Sequence, residues 1–399
     1  MSERRRIGSP AEVPSVRARS ARSRAGPPRA STPAGVSERL RARLRPELAS
    51  LHAYETPHAP APMRLDANES PWSLPPEARE RIARELAELP LHRYPDPRAT
   101  ELRAAIAAYT GARPEELVLG VGSDESIAIL ETALARPIAG RERAVVMHPD
   151  PSFSMYGIIG RGHGHDVVKV PLDARFQLDV PAFLAAIDEH RPSLIFLPSP
   201  NNPTGNAFDH DAIRAIVEAA PDSLVVLDEA YVEFAERSMR PFFDAHENVA
   251  LLGTLSKIGL AALRIGWARV PAWLAGELEK VRLTYNLPAP SQRIGQLAMT
   301  ELLPTIRAHV AAIRAERTVL IEGLARIEGL APLPTDANFV LVECGDRAAE
   351  LAERARAAGI QIRSFGGHPR LSRHVRITVG TPPENAALLD ALARARIGR

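Results

Sequence analysis

Three lysines occur in this 399-residue chain, and one of them stands where an amine could do covalent work. Lys257 ends the stretch Thr254-Leu-Ser-Lys257, just after the apolar segment Val249–Leu252. Lys169, inside Val167–Pro171, and Lys280, on a charged helical pattern, read as ordinary surface lysines. An amine held among apolar residues at a sheet edge is driven toward its neutral, nucleophilic form, in which a lysine condenses with an aldehyde to a Schiff base.

Three further motifs carry residue types that such chemistry needs. Gly120-Val-Gly-Ser-Asp-Glu125 lies between a short apolar run and a helical pattern, so its glycines free the backbone to turn and helix amides face an anion. The spacing fails the dinucleotide fingerprint, because the sixth residue is Glu125, and no Gly-Lys-Ser/Thr follows to make a nucleotide loop. Pro200-Asn-Asn-Pro-Thr-Gly205 follows the segment ending at Leu197, and its prolines and paired asparagines fix an irregular loop. Leu227-Asp-Glu-Ala-Tyr231 closes the next segment with a carboxylate, which in isolation is also what a helix cap looks like. A pyridine cofactor needs an anion to keep its ring nitrogen protonated, donors to its phenolic oxygen and a cradle for its phosphate. Asp228, Asn202 with Tyr231, and the helix start at Ser123 could supply these.

Placing these residues falls to alternating segments that begin near residue 100. Apolar strands are expected at Ala144–Met147, Val167–Val170, Leu194–Leu197, Leu224–Leu227 and Val249–Leu252, with helices at Asp124–Ala135, Val180–His190 and Asp211–Ala220 among them. Strands so uniformly apolar are buried on both faces, which predicts an α/β fold with a mostly parallel sheet between helices. Ligands in such sheets bind at the carboxyl ends of the strands, where every motif above falls. After about residue 290 the pattern changes to a long helix near Ile306–Ile327, strands near Phe339–Val342, Ile360–Arg363 and Val375–Val379, and a closing helix. This reads as a smaller α+β domain. The expected division is a disordered basic tail over 1–45, an arm and part of the small domain over 46–92, a large domain over 93–288 and the small domain over 289–399.

Composition narrows the function. Charged residues make up 25% of the chain and nearly balance at a formal net charge of +2, as in a soluble globular protein. No apolar run approaches the roughly 20 residues of a membrane span, and no signal-like segment opens the chain, so a cytoplasmic protein is expected. The tail's arginines faintly resemble a transit peptide; a solvated tail is the simpler reading. Cys344 is the single cysteine, which excludes an intramolecular disulfide and cysteine-rich metal centres. His163 and His165 have no acidic or histidine partner at ligand spacing, so an exposed loop and no metal are expected there.

At this point the chain resembles the fold type I aminotransferases, and within them the histidinol-phosphate aminotransferases. The likeness runs from about Tyr54 to the C-terminus. It rests on Leu65-Asp-Ala-Asn-Glu69, Arg93-Tyr-Pro-Asp-Pro97, Gly122-Ser-Asp-Glu125, Ser152-Phe-Ser-Met-Tyr156, Asn201-Asn-Pro-Thr-Gly205, Asp228-Glu-Ala-Tyr231, Thr254-Leu-Ser-Lys257, Ala337-Asn-Phe339 and Val375-Arg-Ile-Thr-Val-Gly380. The resemblance implies a fold type I transferase that holds pyridoxal 5'-phosphate on Lys257, which then shuttles a proton at the substrate. It implies that Asp228 pairs with the pyridinium, that Asn202 and Tyr231 bond the phenolic oxygen, and that Tyr156 stacks on the ring. Ser123, Asp124, Glu125, Ser256 and Arg264 fall where the family binds the cofactor, and Tyr94 matches a tyrosine that reaches the phosphate from the other subunit of a homodimer. Arg376 matches the clamp on the substrate's α-carboxylate, Arg363 the arginine for the substrate's phosphate, and Tyr54, Asn68 and Asn338 other substrate-pocket positions. One departure is that Lys257 to Arg264 is one residue shorter than the family spacing, which bears on the phosphate role of Arg264.

The implied reaction is transamination between L-histidinol phosphate and 2-oxoglutarate, with small molecules as the only partners beyond the second subunit. An aromatic amino acid aminotransferase and a threonine-phosphate decarboxylase share the fold and the lysine and stay open at this point. A nucleic-acid-binding regulator would need a folded DNA-binding domain that the tail is too short to make.

Overall fold

The computed structural model describes residues 40–50, 61–138 and 140–393. The chain divides after Pro46, and the unit Glu47–Arg399 carries everything that follows. Nearly all of the expected tail, and Tyr54, lie outside the described residues.

The strands in chain order are β1 (Met63–Arg64), β2 (Leu117–Val121), β3 (Val145–Asp150), β4 (Asp166–Pro171), β5 (Leu194–Pro198), β6 (Leu224–Asp228), β7 (Val249–Thr254), β8 (Ile265–Arg269), β9 (Ala331–Pro332), β10 (Phe339–Glu343), β11 (Ile360–Gln361), β12 (Arg363–Ser364) and β13 (His374–Thr378). The helices are α1 (Pro76–Ala87), α2 (Thr100–Thr110), α3 (Gly122–Ala133), α4 (Met155–His163), α5 (Val180–His190), α6 (His210–Ala219), α7 (Arg240–Ala245), α8 (Ala272–Val281), α9 (Ala289–Thr300), α10 (Leu303–Ala325), α11 (Ala348–Ala357) and α12 (Pro382–Ala393).

Seven strands make the main sheet in the order β2-β8-β7-β6-β5-β3-β4. β3 to β7 are parallel, as expected, while β8 runs antiparallel to both β7 and β2. β2 therefore points the same way as the parallel strands, and its carboxyl end joins theirs on one edge. Alternate residues face opposite layers. Phe196, Val226 and Leu252 pack with Ile127 and Leu130 of α3 and Leu278 of α8. Leu197, Leu227 and Leu251 pack with Phe183 of α5 and Ile213 and Ile216 of α6. Each such side chain removed from water contributes roughly 1.5–3 kcal/mol, which is why these segments read as unbroken apolar runs.

β8 was not legible as a strand, because Gly266 and Arg269 interrupt its apolar pattern. Arg269 is buried there because its guanidinium meets the buried Glu116 carboxylate at 2.9 Å. Gly266 is required by close approach, since a Cβ at that position would overlap the backbone of Gly122 and Ser123.

Beyond the main sheet lie a four-stranded antiparallel sheet, β12-β13-β10-β9, and a two-stranded parallel pair, β1-β11. The single strand expected over Ile360–Arg363 is two: Ile360–Gln361 pairs with Met63–Arg64, and Arg363–Ser364 pairs with β13. The chain changes partner between them because residues 63–64 occupy the edge that β11 offers. α10 buries Ile306, Val310, Ile313, Leu320 and Leu324 along one stripe. One apolar cluster runs from Ile106 and Leu119 through Leu255 to Phe339 and Ile377, so the segments expected as two domains share a core.

Gly266→Ala is expected to destabilise the fold by about 1–3 kcal/mol, the range for overpacking a filled site. Because the clash falls on the first turn of α3, cofactor affinity should weaken with it; equilibrium urea unfolding of wild type and variant measures the first effect and cofactor titration the second.

Candidate active site

The carboxyl edge of the main sheet opens into a cavity of about 620 Å³ lined by residues from nearly every motif singled out above. Lys257 lines it from the turn after β7, half-buried, with its Nζ 5.6 Å from the centre of the Tyr231 ring. Asp228 ends β6 and is only 4% exposed. Its carboxylate accepts from the Tyr156 hydroxyl at 2.7 Å and from the Ala230 amide at 2.9 Å. Burial raises the carboxyl's pKa above its ordinary 3.8, while the Tyr156 and Ala230 donors and the Lys257 charge pull the other way.

A second corner is built for an anion. α3 begins directly after β2 because Gly122 adopts φ +75°, a conformation open to glycine, and Ser123 and Asp124 of its first turn line the cavity. The Arg264 guanidinium lies 3.4 Å from Ser256 Oγ and 3.3 Å from Asp124 Oδ2. The shortened spacing thus does not keep Arg264 away: it takes φ +52° and its carbonyl accepts the Gly122 amide at 2.8 Å.

The opposite wall comes from β12 and β13. Arg363 and Arg376 are directly paired across these strands, and both line the cavity. Arg376 donates to Asn202 Oδ1 and to the Asp66 carbonyl, each at 2.5 Å. Asn68, at φ 56°, donates from its side-chain amide to the Tyr231 hydroxyl at 2.9 Å and from its backbone amide to Thr378 Oγ1 at 2.9 Å.

Several expectations need correction. Tyr156 cannot stack on a ligand in the cavity: it is fully buried, its ring lies flat on Phe196 at 4.6 Å, and its hydroxyl is committed to Asp228. The aromatic side chain that lines the cavity beside it is Phe153, edge-on to Tyr156 at 5.5 Å. Phe153 follows β3 just as the other motifs follow their strands, and that position was the signal to read. Glu125 turns away from the cavity, its carboxylate accepting from the Val121 amide and from Asn286. Asn338 lies behind the wall, fully buried, where it donates to the Asn68 carbonyl. Tyr94, expected to serve the other subunit's site, needs no correction: it is 81% exposed and stacks on Tyr285 outside this chain's own cavity. Lys169, read as a plain surface lysine, is an ion-paired neighbour of Asp150 at the cavity rim, and Arg64 and Arg161 add charge there that the sequence did not flag. His163 and His165 are not in an exposed loop: His163 ends α4, His165 is buried, and Glu131 of α3 joins them.

A fold of this kind, with a lysine and a buried carboxylate facing one cavity, defines the class of enzymes that hold a pyridine aldehyde. The donor set fits pyridoxal 5'-phosphate: a buried anion, an amine, hydroxyl and amide donors, an aromatic face at Phe153, and an anion corner that Gly122 and Gly266 keep clear of Cβ atoms. The sequence model of the class I and II aminotransferases matches residues 60–392, and the chain belongs to that family. It is 43% identical over 354 residues to the histidinol-phosphate aminotransferase of Chromobacterium violaceum, covering 88% of this chain and 97% of that one. The enzyme of that name from Paracidovorax citrulli is 42% identical over 88% of this chain and 96% of its own. Histidinol-phosphate aminotransferase from Sinorhizobium meliloti, solved with pyridoxal 5'-phosphate, superposes with a TM-score of 0.78 at 28% identity, covering 88% and 97%. Within the larger family, then, the chain belongs to the histidinol-phosphate aminotransferases.

Because the folded state holds the Asp228 carboxyl above its ordinary pKa, its ionised form disfavours folding, and this penalty is absent at low pH and appears as pH rises past 3.8. Apoprotein carrying Asp228→Asn should therefore melt with the wild type at pH 4 and no lower, and typically higher, at pH 7. Its catalytic rate should nevertheless fall by about 100-fold or more, the scale for removing a preorganised electrostatic partner. Melting curves at the two pH values, alongside initial rates, check both halves.

Proposed function

We propose that this chain transfers the amino group of L-histidinol phosphate to 2-oxoglutarate, giving imidazole acetol phosphate and glutamate, as a step of histidine biosynthesis. The observation that carries the reading is the pairing of Arg363 with Arg376 across β12 and β13, on the wall of the cavity that also holds Lys257 and Asp228. Two adjacent guanidiniums suit substrates that end in phosphate or carboxylate, since each can present paired N–H donors to an anion's oxygens.

When bound, pyridoxal 5'-phosphate supplies the aldehyde and an electron-withdrawing pyridinium ring. Asp228, a buried negative charge, would keep the ring nitrogen protonated. Tyr231, kept in place by Asn68, and Asn202, kept in place by Arg376, serve the phenolic oxygen. Ser123, Asp124 through its backbone amide, Ser256 and Arg264 form the phosphate corner. Lys257 Nζ would be the amine that holds the cofactor's aldehyde, and the same nitrogen would serve as the base that takes the proton from the substrate's Cα. Arg376 holds the α-carboxylate of glutamate or 2-oxoglutarate, and Arg363 the phosphate of histidinol phosphate.

The active unit in this reading is a homodimer, with the cofactor on segment 93–288 and segments 46–92 and 289–399 closing the substrate side. Leu91, Tyr94, Leu283 and Tyr285 support it, being large apolar side chains exposed in the single chain, as an interface requires. Among the described residues no helix is long and apolar enough to cross a membrane. A cytoplasmic enzyme is the accompanying proposal.

Purified protein should carry a yellow chromophore that bleaches to the pyridoxamine form on adding histidinol phosphate, and Lys257→Ala should lose turnover by several orders of magnitude. Preference for phenylalanine, or carbon dioxide release from threonine phosphate without ketone formation, would overturn the substrate assignment. Arg363→Ala should reduce kcat/KM for histidinol phosphate by about 100-fold, on the scale of 1.5–3 kcal/mol for a charge-assisted hydrogen bond. The glutamate half-reaction should change far less, and single-turnover rates with each donor separate the two.

A further inference from the structure

The cofactor cavity does not use the cluster of ligand-type side chains formed by Glu131, His163 and His165, which lies on the far ends of the two helices that begin at the cavity. Glu131 stands in the last turn of α3, His163 ends α4, and His165 follows Gly164, whose φ of 85° turns the chain toward β4. One ligand atom from each of the three lies within 4.8 Å of the others. Glu131 is fully buried, and its Oε1 has no hydrogen-bond partner.

The hydrogen bonds around the cluster call for a proton on Nε2 of each imidazole. Thr132 Oγ1 donates its proton to the Ala128 carbonyl at 2.7 Å, so toward His163 Nε2, 3.4 Å away, it can only accept. His165 Nε2 lies 3.0 Å from the Glu131 backbone carbonyl, which is likewise an acceptor. Both rings thus carry their proton on Nε2, and a neutral imidazole of that form has a lone pair on Nδ1. His163 Nδ1 faces Glu131 Oε2 at 3.3 Å, a contact that needs either a shared proton or a metal cation between the two atoms. That separation is also close to the ligand-to-ligand edge of a tetrahedral zinc ion with bonds of about 2.0–2.1 Å. A ring N–H given to a backbone carbonyl or hydroxyl is the usual outer support of a metal-binding histidine.

We propose that Glu131, His163 and His165 form a binding site for one divalent transition metal ion of the zinc type, which ties the end of α3 to α4 and β4. Two imidazoles and one carboxylate are the ligand set that zinc and cobalt(II) accept, with water completing the shell. The site is separate from the cofactor cavity, and its assignment does not depend on the reaction proposed above. The ion links helices whose other ends bear Ser123, Asp124 and Tyr156, so its effect is on stability rather than on the reacting atoms.

The test is titration of cobalt(II) chloride into chelator-treated holoenzyme. One ion per chain should bind with visible d–d absorption, and zinc chloride should displace it and raise the melting temperature. His163→Ala, at a half-exposed position, and Glu131→Gln should each weaken cobalt affinity by about 100-fold or more while leaving the cofactor chromophore intact. In unaltered protein, zinc should protect His163 from acylation by diethyl pyrocarbonate, read by peptide mass mapping. A proton in place of a metal gives the opposite results: no cobalt band, equal binding by wild type and His163→Ala, and no protection. Any of these overturns the proposal.

Discussion

A carboxylate buried at the end of a central strand is the constraint around which the active site is arranged. Asp228 is held by the register of β6 between β5 and β7, and its charge is unfavourable in that place unless something positive sits above it. The surroundings preserve that charge rather than neutralise it. Tyr156 lies on Phe196 and donates from below, the Ala230 amide donates from the side, and Lys257 approaches from the next strand end. The fold gives up stability at this position to keep a charge ready for a cationic ring, in keeping with the way strained electrostatics concentrate where proteins act.

Much of this was legible because the chemistry sits at strand ends and the strands are apolar on both faces. Asp228, Asn202, Lys257 and Ser123 could each be placed from a run of apolar residues followed by a polar one, and all four line one cavity. Tyr156 shows where such reading stops. A tyrosine in the right block was taken for the stacking ring, while burial put it beneath the site and left Phe153 facing in. Whether a side chain in the first turn of a helix points at a cavity or under it depends on the helix's docking angle, which residue types do not encode. Glu131 failed differently: its neighbours His163 and His165 are more than thirty residues away along the chain, so ligand spacing in sequence could not reveal it.

The substrate wall depends on the N-terminal segment as much as on the strands that carry the arginines. Residues 63–64 pair with β11, the Asp66 carbonyl accepts from Arg376, and Asn68 bridges Tyr231 and Thr378. Asn338, expected to meet substrate, instead fixes the Asn68 carbonyl. A short stretch from one end of the chain thereby locks the guanidinium on one side and the phenol on the other, and preorganised donors of this kind need no rearrangement when charge arrives.

The register of β12 on β13 has a further consequence. Like charges set directly opposite each other on neighbouring strands repel, and here the two are Arg363 and Arg376. An arriving dianion relieves that repulsion, whereas a ligand with an uncharged tail leaves it in force. On the function proposed above, discrimination would draw partly on that repulsion, and concentrated salt, whose counterions offer the same relief to every competitor, would weaken it.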